Sequence, residues 1–196
     1  MGWEWRVFFQ ATDGAPPPLQ WSPGDVEART DTYYVLGPHV GLKKRGGGRL
    51  ELKERLNVDE CAYEKWQKRE AQEAPPSDAP CVSLEKRRRQ ECRASIKLEH
   101  TELRVSMHAA EAQPDADQHW RTVALEGKRE RCEELREELL AACRAQAVGG
   151  AVLIGGYPAF VSMLAGDATA FALSRKFCRR CVSCKSFAMT PKFEPV

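Results

Sequence analysis

Acidic and basic side chains recur at alternate positions through much of this 196-residue chain. Glu4 and Arg6 stand in WEWRVFFQ, Lys43 and Arg45 in VGLKKR, and Glu51, Lys53 and Arg55 in RLELKERL. Lys97 and Glu99 follow in SIKLEHTEL, and Glu126 in HWRTVALEG. Between them fall Trp3/Trp5, Leu42, Leu50/Leu52, Ile96/Leu98 and Val123/Leu125. A period of two places the apolar set on one strand face and the charged set on the other. In SLEKRRR, Leu84 gives no clean parity, so Lys86 and Arg88 join the charged face by analogy with the other strands. Acids and bases crowded into an interior are costly unless water, metal and an anion fill the space. Charged faces turned on one another therefore describe a polar tunnel inside a closed antiparallel barrel. An open antiparallel sheet with one wet face produces the same alternation, its opposite charges being cross-strand partners. Periodicity leaves both architectures open.

The elements that must carry these residues follow from local pattern. After the first strand, ATDGAPPPLQWSPGD is a Pro/Gly-rich loop. ARTDTYYVL and VGLKKR read as strands parted by Gly37-Pro38, and Gly46-Gly47-Gly48 turns the chain into RLELKERL, giving a hairpin between residues 40 and 56. The stretch from Glu60 to Arg69 is charged and reads as helical, and EAQEAPPSDAP as a linker. CVSLEKRRRQ, CRASIKLEHTELRVSM and HWRTVALEG are three further strands, with a polar loop around Pro114 between the last two. In KRERCEELREELLAACRAQ the period changes, and Cys132, Leu135, Leu139 and Cys143 share one helical face. Its basic first turn opposes the helix dipole, so something nearby is expected to compensate. GGYPAFVSML reads as a turn and a short helix with Pro158 near its first position. The expected fold is α+β, an antiparallel barrel with flanking helices in a single domain over residues 1–165, followed by a Cys-rich basic tail over 166–196.

Composition narrows the functional classes. With 42% hydrophobic and 30% charged residues the chain has the make-up of a soluble globular domain. A net charge of +2 gives nucleic-acid binding no bulk electrostatic support, and the run Lys86 to Arg89 is divided between two strand faces, so nucleic acid is not an expected partner. The longest apolar run is far too short to span a bilayer, and no secretory pattern opens the chain. The expectation is an intracellular, reducing location with no membrane insertion. The eight cysteines lack the compact spacing of a disulfide scaffold and read as free thiols. Cys178, Cys181 and Cys184 have spacing suited to zinc or a redox centre, yet they lack a fourth Cys or a nearby His. His39, His100, His108 and His119 are scattered without ligand spacing. No Ser or Cys stands in a nucleophile motif, and GGAVLIGG lacks the Lys-Ser/Thr of a phosphate loop.

A family resemblance bears on the choice between barrel and open sheet. DTYYVLGPHVGLKKRGGGRLELKERL, Asp31 to Leu56, resembles the first half of the CYTH, or triphosphate tunnel, superfamily. Members carry an Asp-x-Tyr-Tyr-like strand, a Leu-Arg-x-Arg-like strand, a glycine turn and a strand ending in an inward lysine. The counterparts here are Asp31/Tyr33/Tyr34, Leu42 to Arg45, Gly46 to Gly48, and Lys53. VSLEKRRR is similar to the family's Lys-x-Arg strand, SIKLEHTEL to its acidic strand, and HWRTVALEG to the late strand that delivers a glutamate. The resemblance covers residues 1 to about 130. VGLKKRGGGRLELKERL, His100-Thr101-Glu102-Leu103 and GGYPAF also resemble a CYTH-like group from cyanobacteria, algae and plants.

The resemblance implies a barrel whose bore binds a triphosphate, with basic side chains around the phosphoryl oxygens and glutamates holding Mg2+ or Mn2+. Arginine offers paired donors to phosphate, lysine a point charge, and hard divalent ions take carboxylate oxygen. Carried over by position, Arg45, Lys53, Lys86 and Arg88 would bind phosphate, joined by Arg6, Lys43 and Arg55 on the same faces. Glu4 and Glu126 would bind metal. The family's opening Glu-x-Glu-x-Lys is Gly2-Trp3-Glu4-Trp5-Arg6 here, and Ala124 precedes Glu126 where the family has Glu-x-Glu. Each departure removes a hard-ion ligand, and only Glu51 or Glu99 could substitute. The expected function is binding of a phosphate-rich small molecule. The alternatives are a metal-dependent triphosphatase and a non-enzymatic interaction protein built on an open sheet.

Overall fold

The computed structural model describes residues 2–12, 14–22, 24–108 and 118–166. The loop around Pro114 and the tail carrying Cys178, Cys181 and Cys184 lie outside the described residues. The strands are β1 (Trp3–Phe9), β2 (Glu27–Val35), β3 (Val40–Arg45), β4 (Leu50–Val58), β5 (Glu64–Glu70), β6 (Cys81–Arg93), β7 (Ile96–His108), β8 (Gln118–Gly127) and β9 (Leu153–Ile154). The helices are α1 (Arg129–Gln146) and α2 (Tyr157–Leu164).

Antiparallel pairing runs β5-β4-β3-β2-β6-β7-β8-β1, and β5 returns to β1 through Glu4 opposite Glu64. This closes an eight-stranded barrel and removes the open sheet. The closing strand β5 is a correction, because a helix was expected over Glu60 to Arg69. Its charges hide a period of two: Glu64 and Trp66 are buried in the bore, while Lys68 and Glu70 continue the same face to the rim. The stretch CRASIKLEHTELRVSM also divides. Ala94 and Ser95, with φ of 46° and 68°, make a two-residue hairpin turn between β6 and β7. The 13-residue ladder from Cys81 opposite His108 to Arg93 opposite Ile96 holds that turn in place.

Outside the barrel, α1 buries Cys132, Leu139, Leu140 and Cys143 against Trp5, Val7, Phe9, Leu98, Val123 and Leu125. Burying each such aliphatic side chain is worth about 1.5–3 kcal/mol. Asp59 supplies the acid that the basic helix start requires, accepting from Arg129. Among the described residues no helix is long and apolar enough to cross a membrane.

The second helix does more than flank. The inner half of β1 pairs with β9, through Val7 opposite Ile154 and Phe8 opposite Leu153, and Gly155 N–H donates to Arg6 O at 3.0 Å. The chain then turns under the barrel, and α2 seals that end with Phe160 stacked 4.2 Å from Phe8 and Tyr157 packed 5.4 Å from Tyr33. Leu84, Val82, Leu103 and Val105 complete this apolar layer. The fit depends on two glycines: a Cβ on Gly156 would stand 2.7 Å from Trp66, and one on Gly41 would stand 2.8 Å from Pro158.

Candidate functional site

Above the apolar layer the bore is charged. Register places Glu4 and Arg6 of β1, Glu27, Arg29 and Asp31 of β2, and Lys43 and Arg45 of β3 on the inner face. Glu51, Lys53 and Arg55 of β4, Glu64 of β5, Lys86 and Arg88 of β6, and Glu99 of β7 share it. The parity that Leu84 left undecided resolves with Leu84 in the apolar layer and Lys86 and Arg88 above it on the same face.

Three layers can be told apart by depth. Deepest is Lys86, 1% exposed, whose Nζ lies 2.9 Å from Asp31, donates to Tyr33 Oη at 2.8 Å and sits 3.7 Å from the Tyr157 ring centroid. Asp31 is fully buried and also meets Arg29 at 3.2 Å and Lys43 at 4.0 Å. Burial opposes its ionisation, but Lys86, Lys43 and Arg29 outweigh that and hold the carboxyl below the usual range.

In the middle layer Arg6 Nη1 donates to Glu99 Oε1 at 2.8 Å and to Thr122 Oγ1 at 3.4 Å, while its Nε faces Glu4 Oε1 at 3.3 Å. Lys53 donates to the other Glu4 oxygen at 2.8 Å. Glu99 Oε2 accepts from Gln90 at 2.8 Å and from Arg88 at 3.4 Å. Burial alone would raise Glu4, yet Lys53 and Arg6 hold it at about 2. Burial likewise works against Glu99, and Arg6 and Arg88 hold it well below the carboxylate range. Both acids are charged at neutral pH.

Exposure rises in the outer layer, where Lys43 meets Glu51 at 3.1 Å, Arg45 meets Glu51 at 3.6 Å, and Arg88 bonds Glu27. Burial lowers Lys43 despite Glu51 and Asp31. At the rim Glu126, 46% exposed, turns to Lys97 at 3.8 Å.

The expected site residues thus separate. Arg6, Lys43, Arg45, Lys53, Lys86, Arg88, Glu4, Glu51 and Glu99 line one continuous charged bore. Arg55 lies apart, toward the sealed end, held by Glu64 at 2.9 Å and by His39. Glu126 opposes Glu4 in register but leaves for the rim. Asp31, Arg29 and Glu27 alternate along EARTDTYYV and are not among the expected site residues. Glu64 was hidden by the helical reading, and no pattern in GGYPAF signals that Tyr157 lies under Lys86.

Among the described residues, and leaving aside the rim residues Lys68, Glu70, Lys97 and Glu126, the inner face carries eight basic and six acidic side chains. The carboxylates expected to hold Mg2+ or Mn2+ each face a basic side chain. Glu4 and Glu99 face the Arg6 guanidinium from two sides, Glu51 faces Lys43 and Arg45, and Glu126 faces Lys97. Among the described residues no group of three or more His, Cys, Asp or Glu is placed to hold a metal ion.

The outer face of β2, β6, β7 and β8 offers a contrast. A groove of about 600 Å3 there is lined by Arg87, Arg104 and Arg121. Arg87 meets Glu102 at 3.8 Å, Arg104 meets Glu85 at 3.7 Å, and Arg121 donates to the carbonyl of Ala15 at 2.7 Å. No family model matches the chain, and no curated protein matches it.

Proposed function

We propose that the protein binds a phosphate-rich small molecule, a polyphosphate or an organic triphosphate, in the open half of the barrel. The observation that carries this reading is the excess of two cations around a bore whose carboxylates are all already matched. Arg45, Arg88 and Lys43 stand in the more exposed outer layer, with Lys53 below them in the middle layer. Arginine there offers forked donors to phosphoryl oxygen and lysine a mobile ammonium. The resemblance of Asp31 to Leu56 to the triphosphate tunnel superfamily supports the same ligand class.

Hydrolysis of such a ligand by a triphosphatase would need a metal-bridged phosphate. The pairing of Glu4, Glu51 and Glu99 with basic side chains favours binding over that alternative. The test is thermal unfolding with tripolyphosphate, ATP and thiamine triphosphate, each with and without Mn2+, with released phosphate assayed in the same samples. The expected result is a raised unfolding temperature without turnover, weakened in Lys53→Ala and Arg45→Ala. Phosphate release only with Mn2+ would establish the hydrolase, and no shift with any ligand would remove the anion site.

A further inference from the structure

The middle layer of the bore has the form of a cation site whose cation is a side chain. Arg6 is buried among three oxygens from three different strands: Glu4 Oε1 at 3.3 Å, Glu99 Oε1 at 2.8 Å and Thr122 Oγ1 at 3.4 Å. Thr101 Oγ1, at 3.3 Å from the same Glu99 oxygen, adds a fourth oxygen close by. Carboxylates and hydroxyls converging on one point are the donors a hard divalent ion takes. Two buried carboxylates sharing such a space repel unless a cation stands between them. The guanidinium fulfils that requirement, and Lys53 on Glu4 and Arg88 on Glu99 complete the neutralisation from outside. An incoming divalent ion would have to displace a side chain that is itself held by both of its would-be ligands.

We propose that Arg6 is the resident cation of the bore, standing where a divalent ion would otherwise bridge Glu4 and Glu99, and that the bore takes its anion without metal. The first half stands on the geometry alone, and the second rests on the anion-site reading. It gives the acids a role: Glu99 and Glu4 are positioning residues that hold Arg6, Arg88 and Lys53 in fixed places around the ligand space.

Two experiments test this on the full chain. Mn2+ binding, followed by the electron paramagnetic resonance of the free ion, should show no uptake by the wild type up to millimolar Mn2+. Arg6→Gln leaves Glu4 and Glu99 facing each other and should gain one ion per chain, with affinity in roughly the 10⁻⁴ to 10⁻³ M range of weak carboxylate sites. Adding Glu99→Gln to that variant should abolish the gain. Stoichiometric uptake by the wild type that Glu99→Gln removes, or a folded Arg6→Gln that takes up no Mn2+, overturns the proposal. Should Arg6→Gln fail to fold, the wild-type titration with its Glu99→Gln control decides alone.

In the second experiment tripolyphosphate is titrated calorimetrically into the wild type in EDTA and in Mn2+. Undiminished binding in EDTA is the expected result. Binding only with Mn2+ overturns metal independence while leaving the anion site standing, and no binding under either condition overturns the anion-site reading itself.

Discussion

The two halves of the barrel solve the problem of filling a narrow interior in opposite ways. Toward the sealed end, Phe8, Tyr33, Leu84, Leu103, Tyr157 and Phe160 pack as an ordinary apolar core, and α2 closes it with two side-chain-free glycines at the points of nearest approach. Toward the open end the same strands carry Arg6, Lys43, Lys53, Arg88, Glu51 and Glu99, joined by ion pairs that contribute little net stability once desolvation is counted. The difference teaches that apolar packing and charge are separated along the barrel axis. One half is organised to exclude water, the other to keep charge in place, and Lys86 above the Tyr157 ring marks the boundary.

The sharpest way to break that division is at the boundary and in the core. Lys86→Met leaves Asp31 buried without its nearest cation and should cost about 3–5 kcal/mol in urea unfolding. Pairing it with Asp31→Leu should restore most of the loss, since the cost lies in the orphaned charge. Phe160→Ala opens a cavity in the plug and should cost a similar 3–5 kcal/mol. Gly156→Ala drives a methyl into Trp66 and Glu64 and should cost about 1–3 kcal/mol by the same measurement.

Acid should act on the charged half in its own window. Glu4 titrates at about 2 in the fold and near 4.5 when unfolded, so its contribution is present above about 4.5 and is lost as pH falls toward 2. His100 behaves differently, because it sits on the outer face with its ring 5.8 Å from Trp21. Burial pushes its pKa down to about 4, so it folds neutral, and the stability it contributes above 6.5 is lost as pH falls from 6.5 to 4. Unfolding free energy measured against pH should therefore decline in two stages, the upper removed by His100→Gln and the lower reduced by Glu4→Gln. The smallest effect on stability belongs to Arg45→Ala, within about 0.5 kcal/mol for a side chain 48% exposed. The same substitution should weaken tripolyphosphate binding about ten-fold, as expected for one charge-assisted contact.

Much of the charged half was legible in the sequence because alternation survives wherever apolar residues mark the other face. Leu50 and Leu52 locate Glu51 and Lys53, and Ile96 and Leu98 locate Glu99. The signal failed where both faces carry charge. Gln67 and Arg69 lie opposite Lys68 and Glu70 on β5, so the strand that closes the barrel resembled a charged helix. It failed again at Ala94-Ser95, where a tight turn forms without the Asn-Gly or Asp-Gly that announces one. The apolar half was less legible for another reason. GGYPAFVSML declares a short apolar helix with Pro158 at its start, but its docking under the barrel depends on shape, through Gly41 and Gly156, which no periodicity encodes. The sequence order of Glu4, Arg6 and Glu99 likewise carries no sign that the arginine would stand between the two acids.

The most direct test of the functional division is amide hydrogen exchange with and without tripolyphosphate in EDTA. Slower exchange over residues 43–53 and 86–99, with residues 157–164 unchanged, is the result predicted for an anion held in the open, cation-rich half. Exchange that tripolyphosphate leaves unaltered there, or slows only around Arg87, Arg104 and Arg121 on the outer face, would contradict it.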